Sequence, residues 1–169
     1  MRKISDRQGM ISGLAGGLAG TIVMDLFVAG LFTLTGLPAS LIFSFIGDTA
    51  QGFFSLLGMD LAGGIPLGAA IHYLIGLVLG LIFGLAASRV DALKLDRTWK
   101  AIGIGILYIE VVSLPILATA PPIMKMTLAD TLQCFGLSML MHPIYGLILG
   151  VFVSRRLPMI AAKGQMSVK

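Results

Sequence analysis

Ile65 to Ser88, IPLGAAIHYLIGLVLGLIFGLAAS, contains no aspartate, glutamate, lysine or arginine, and its one titratable ring near neutral pH is His72. A helix rises 1.5 Å per residue, so the stretch supplies the roughly 20 residues needed to cross about 30 Å of hydrocarbon. It reads as a transmembrane helix, and three more stretches qualify beside it: Met10 to Leu34, Lys100 to Ala120 and Thr131 to Ser154. Charged residues are only 12% of the chain, about half the share of roughly 25% usual in soluble domains, and 57% of its 169 residues are hydrophobic. The expectation is an all-α integral membrane protein, one four-helix transmembrane domain over residues 1–169.

Lysine and arginine gather, with one exception, on one side of these spans. Arg2, Lys3 and Arg7 precede the first; Arg89, Lys94, Arg97 and Lys100 join the second to the third; Arg155, Arg156, Lys163 and Lys169 follow the fourth. The opposite loops hold Lys125 with Asp48, Asp60 and Asp130. The positive-inside rule then predicts a multi-pass protein of the inner (plasma) membrane with both termini cytoplasmic and Trp99 as an interfacial anchor. The first span is expected to remain as an anchor, being too long for a signal peptide and carrying Asp25. A net charge of +4 without aromatic interleaving argues for topology and against nucleic acid. Cys134, the single cysteine, excludes an internal disulfide. Between the first two spans, Gly36 to Gly64 is too apolar for an ordinary loop. It predicts a short external helix in the membrane interface or folded back as a lid, interrupted near Gly47 or Gly52.

A motif recurs. His72-Tyr73-Leu74-Ile75-Gly76-Leu77-Val78-Leu79-Gly80 is nearly repeated as His142-Pro143-Ile144-Tyr145-Gly146-Leu147-Ile148-Leu149-Gly150, and Gly20 to Asp25 aligns with Gly105 to Glu110. The pattern predicts two tandem hairpin repeats of like orientation, each with an acid on its first helix and a histidine on its second. Helical rise places acid and histidine level within each hairpin. An ionised side chain at the centre of a helix in lipid costs about 2.5–3.5 kcal/mol, so these groups should face inward and meet. Contacts are expected for Asp25 with His72 and for Glu110 with His142.

Four uses of this polar cluster remain open. It can be a set of interhelical hydrogen bonds that fix register. It can be titratable, because imidazole exchanges its proton near neutral pH, which suits proton-coupled transport. His72 and His142 can hold a haem b, with Gly76, Gly80, Gly146 and Gly150 clearing space, although the two rings differ by roughly 7 Å in depth. Asp25, His72, Glu110 and His142 can together hold a divalent metal. The glycines have a simpler use: Gly13 and Gly17, Gly16 and Gly20, Gly76, Gly80 and Gly84, and Gly146 and Gly150 recur at the spacing that lets helices approach closely in lipid, within a bundle or a homodimer. Pro115 is expected to kink the third span. Neither Gly-x-Ser-x-Gly nor His-Glu-x-x-His occurs, and the chain leans away from an enzyme. The leading expectation is a small transport or proton-handling protein in contact with the bilayer. A haem-bearing electron-transfer subunit and a structural subunit of a larger membrane complex stand as alternatives.

Ala19 to Asp25, Gly36-Leu37-Pro38, His72 to Gly76 and His142 to Gly146 together resemble the small bacterial and archaeal inner-membrane proteins of the YagU kind and related four-span families. The resemblance implies a four-span inner-membrane protein in which Asp25, His72 and His142 fall on motif positions. Glu110 lies outside that pattern.

Overall fold

The computed structural model describes residues 5–90 and 97–166, with side chains through 154. Arg2, Lys3, Lys94 and Lys169 lie outside the described residues, as do the side chains of Arg155, Arg156 and Lys163. Every described element is helical: α1 (Asp6–Leu34), α2 (Leu41–Leu56), α3 (Gly64–Arg89), α4 (Thr98–Leu117), α5 (Ala120–Met124) and α6 (Leu128–Met166). Four stretches are long and apolar enough to cross a membrane: Asp6–Leu34, Gly64–Arg89, Thr98–Met124 and Leu128–Ser154. Large apolar side chains such as Leu26, Leu74, Leu107 and Leu132 stand exposed along them. Such surface is tolerated in lipid and rare on a soluble monomer, and the chain is a multi-pass membrane protein.

Local chemistry sets the ends. Ser5 and Gln8 form a capping box at the start of α1, and the Thr127 hydroxyl donates to Asp130 at 2.6 Å at the start of α6. The first N–H of α3 is capped from another helix, Gly64 N–H donating to Asp48 Oδ1 of α2 at 2.8 Å. Both α1 and α2 finish on a glycine with φ +77°, Gly36 and Gly58. In each the next N–H reaches back five residues, Leu37 to the Phe32 carbonyl and Met59 to the Phe54 carbonyl.

The long helices pack as two close pairs, α1 on α3 and α4 on α6, and α1 joins the pairs by also packing on α6. Helices α3 and α4 touch only lightly. The close seams are made of glycine. A Cβ at Gly9, Gly13 or Gly17 of α1 would run into the carbonyl oxygens of Gly84, Gly80 and Gly76 of α3. In the other pair Gly105 meets the Gly146 carbonyl, and Gly150 meets Ala101. Gly16 and Gly20 serve a different neighbour: they receive Leu149, Phe152 and the Tyr145 ring of α6. Both seams lie in the half of the bundle nearer the chain termini. Phe83, Leu149 and Val153 are fully buried there.

Two expectations are corrected. Helix α2 runs unbroken through Gly47 and Gly52. Gly47 is a notch, since a Cβ there would strike the Gly64 backbone, and Gly68 of α3 likewise abuts the Phe43 carbonyl; the glycines seat α2 on α3 without breaking it. Pro115 lies in the last turn of α4, which stops at Leu117, and α5 restarts with Pro121 in its first turn. The expected kinked span is therefore two helices in sequence.

Gly80→Ala should cost about 1–3 kcal/mol by forcing α1 and α3 apart. Gly103→Ala, a site with open space around it, should be neutral or slightly stabilising. Reversible unfolding in mixed micelles measures both, and equal effects would contradict the glycine seam.

Candidate functional site

Beyond the last close glycine contacts the helices separate, and a cavity of about 1030 Å³ opens in the half of the bundle opposite the termini. The later turns of α1 and α4 and the earlier turns of α3 and α6 line it, with α2 and α5 against it. Its walls are mainly apolar, from Val28, Phe32, Ile42, Phe45, Ile75, Ile109 and Met141 among others, and Asp25, His72, Ser113, Ser138 and His142 reach it too.

Asp25 follows Thr21 by one turn and precedes Phe32 by two, so it shares the inward stripe of α1. Its Oδ1 lies 2.9 Å from His72 Nε2, with the two side chains 11% and 16% exposed. An ionised carboxylate only accepts, so in a neutral His72 the Nε2–H donates and Nδ1 is left as an acceptor. Phe43 of α2 sets its ring edge-on to His72, centroids 6.0 Å apart. The contact expected between Asp25 and His72 is present.

The contact expected between Glu110 and His142 is absent. His142 Nδ1 instead lies 3.0 Å from the Ser138 hydroxyl, one turn earlier on the same helix. Glu110 is not on the cavity wall, and its Oε1 is buried without a hydrogen bond. The inward stripe of α4 is Ala101, Gly105, Ile109 and Ser113, and one residue beyond Ile109 turns Glu110 about 100° away from it. Packing partners explain the miss. Gly17 meets Gly76 as Gly105 meets Gly146, and Asp25 follows Gly17 at the interval at which Ser113 follows Gly105. By packing, the counterpart of Asp25 is Ser113, which lies on the cavity wall.

Two tyrosines close the floor. Tyr145 of α6, 2% exposed, donates its hydroxyl to the Gly76 carbonyl at 2.6 Å, and Tyr108 of α4 donates to the Leu79 carbonyl at 2.9 Å. Both bonds tie α3 to the second helix pair at the level where the glycine seam ends. Neither role was drawn from the sequence, although Tyr145 stands inside the second histidine motif.

Asp25, His72 and His142 thus share one cavity and Glu110 does not. Among the described residues no three of histidine, cysteine, aspartate and glutamate converge as metal ligands, so the four-residue metal site is not formed. For haem ligation His72 has only Nδ1 to offer while Asp25 holds Nε2. No family model, curated protein or solved structure matches the chain.

A double-mutant cycle on Asp25→Ala and His72→Ala should return a coupling of about 1 kcal/mol. The same cycle on Glu110→Ala and His142→Ala should return none beyond about 0.3 kcal/mol. Comparable couplings for the two pairs would contradict the geometry described.

Proposed function

We propose that this is a small membrane transport or proton-handling protein in which Asp25 and His72 form the titratable pair and the cavity admits water and solute to it. The observation that carries the reading is the 2.9 Å Asp25–His72 contact on the wall of a cavity of about 1030 Å³ within the spans. A hydrogen bond that only fixed register would gain from close packing around it, because an ionisable pair beside an open space keeps the cost of burial without the benefit of a dry seam. A proton arriving from the cavity adds to His72 Nδ1, and the resulting imidazolium is held by Asp25 through Nε2. The same proton can leave by Nδ1. Onward movement toward the termini is stopped by Tyr108 and Tyr145, so net transfer requires α3 to part from α4 and α6.

The orientation belongs to the same reading. Arg7, Arg89, Arg97 and Lys100 sit at the termini end, which the positive-inside rule assigns to the cytoplasm. The cavity then faces outward from the inner membrane, with α2 as its external cover. The tandem-hairpin repeat is part of it as well, supported by the parallel between the Gly17–Gly76 and Gly105–Gly146 contacts. Kinship with the YagU-like group rests on the Asp25, His72 and His142 motifs. Four helices make a thin wall around any pathway, which favours self-association or a larger membrane complex.

The test is proton flux into vesicles that carry the purified protein and an internal pH dye. Wild type should acidify the lumen faster than empty vesicles under an imposed gradient, and Asp25→Asn and His72→Ala should return the rate to that of empty vesicles with helical content unchanged. Wild-type flux equal to that of empty vesicles would overturn the reading.

A further inference from the structure

His72 is gripped from two sides by helices that scarcely touch each other. Helices α1 and α2 both pack along α3 and make few contacts with one another. Asp25 reaches His72 from α1, with Oδ1 2.9 Å from Nε2. From α2 comes Phe43, its ring edge-on to the imidazole with centroids 6.0 Å apart, and stacked on the neighbouring Tyr73 at 6.5 Å and 26°. Phe43 does not line the cavity that His72 borders, so it backs the imidazole from the side away from the open space. The sequence explains why it fits there. A helical side chain leans over the turn that precedes it, which for His72 is the turn of Gly68 and Ala69. Gly68 leaves its part of that turn empty, and the Phe43 carbonyl abuts it so closely that a Cβ would collide. Two further contacts fix α2 at this register: Gly47 against the Gly64 backbone, and the Asp48 carboxylate accepting from the Gly64 N–H at 2.8 Å.

We propose that Phe43 is the positioning residue of the Asp25–His72 pair: it closes the space over Gly68 into which the imidazole would otherwise turn, and so holds Nε2 on Asp25 while Nδ1 stays free. A ring beside a cavity of about 1030 Å³ has room to change rotamer, and ordering it there costs side-chain entropy. Filling the rival place from α2 removes that choice before the hydrogen bond forms. The seat of α2 on α3 therefore sets the geometry of the pair. This deepens the transport reading and rests on it only for the exchange at Nδ1: the imidazole relays a proton in place and does not swing to carry it.

The chain has only two histidines, so isotope-labelled histidine gives two sets of imidazole NMR signals in detergent, and His142→Gln assigns them. Wild type should show nuclear Overhauser contacts between the Phe43 ring and the His72 imidazole, and a His72 Nε2 proton protected from exchange with water. Phe43→Leu keeps an apolar side chain and removes the ring. Exchange of that proton should then rise about ten-fold, the loss of roughly one net hydrogen bond, with helical content unchanged. Phe43→Tyr, which keeps the ring, should match wild type. Absence of the wild-type contacts, equal exchange in wild type and Phe43→Leu, or loss of protection in Phe43→Tyr as well would each overturn the proposal. The first of these uses wild-type protein, so no variant has to fold. None of the readouts depends on flux: absence of wild-type flux would sink transport and leave the clamp, whereas flux with equal spectra for wild type and Phe43→Leu would do the reverse.

Discussion

Everything above the floor of this bundle depends on the backbone-to-backbone approach of α1 and α3 along Gly9, Gly13 and Gly17 against Gly84, Gly80 and Gly76. Lipid tails are as apolar as leucine, so helices in a bilayer gain little by hiding apolar surface from one another, and close packing has to hold them together. Glycine permits that packing where the carbonyls of one helix meet the Cα atoms of the other. The stripe ends at Gly17 and Gly76, and on α1 the inward positions pass to Thr21, Met24 and Val28. Larger side chains hold the backbones further apart. The change from glycine to larger residues along one helix is thus the cause of a bundle tight at one end and hollow at the other.

Helix α1 is central because it carries two glycine faces. Gly13 and Gly17 seat α3, and Gly16 and Gly20 seat α6 with the Tyr145 ring. No comparable face joins α3 to α4 or to α6, and the cavity opens between α3 and that second pair, with α1, α2 and α5 also on its wall. What spans the gap is a pair of phenol hydroxyls on α3 carbonyls, from Tyr145 at 2.6 Å and Tyr108 at 2.9 Å. These bonds are easier to break than a glycine seam, since each carbonyl keeps its helical partner and each hydroxyl can turn to water. The geometry places the most separable contact of the bundle at the base of its cavity, directly below the Asp25–His72 pair.

The spans were legible in composition and length, and the Asp25–His72 contact was legible because a buried acid and a histidine at one level in lipid have few better partners than each other. Glu110 shows where that reasoning stops. Aligning Gly20 with Gly105 matches the sequence motif, whereas the seams match Gly17 with Gly105, and a slip of less than one turn moves an acid off the inward stripe. Sequence similarity between two apolar helices does not distinguish such registers, because alanine, isoleucine and leucine fit either face. Gly47 differs from its sequence expectation for a related reason: a glycine in a helix is a breaker or a notch depending on what lies against it, here the Gly64 backbone of another helix. The linkage of Ser138 to His142, one turn apart, was open to a spacing argument from the start.

The central claim is that the bundle is sealed at the end bearing its termini and open, as far as the cavity wall, at the other. Cys134, the only cysteine, lies on that wall and reports on it without any engineering. Sealed vesicles of the two orientations, treated with a small membrane-impermeant thiol reagent, provide the measurement. The account predicts that Cys134 is modified from the side opposite the termini and protected from the termini side. Modification from the termini side, or no modification from either, would contradict it.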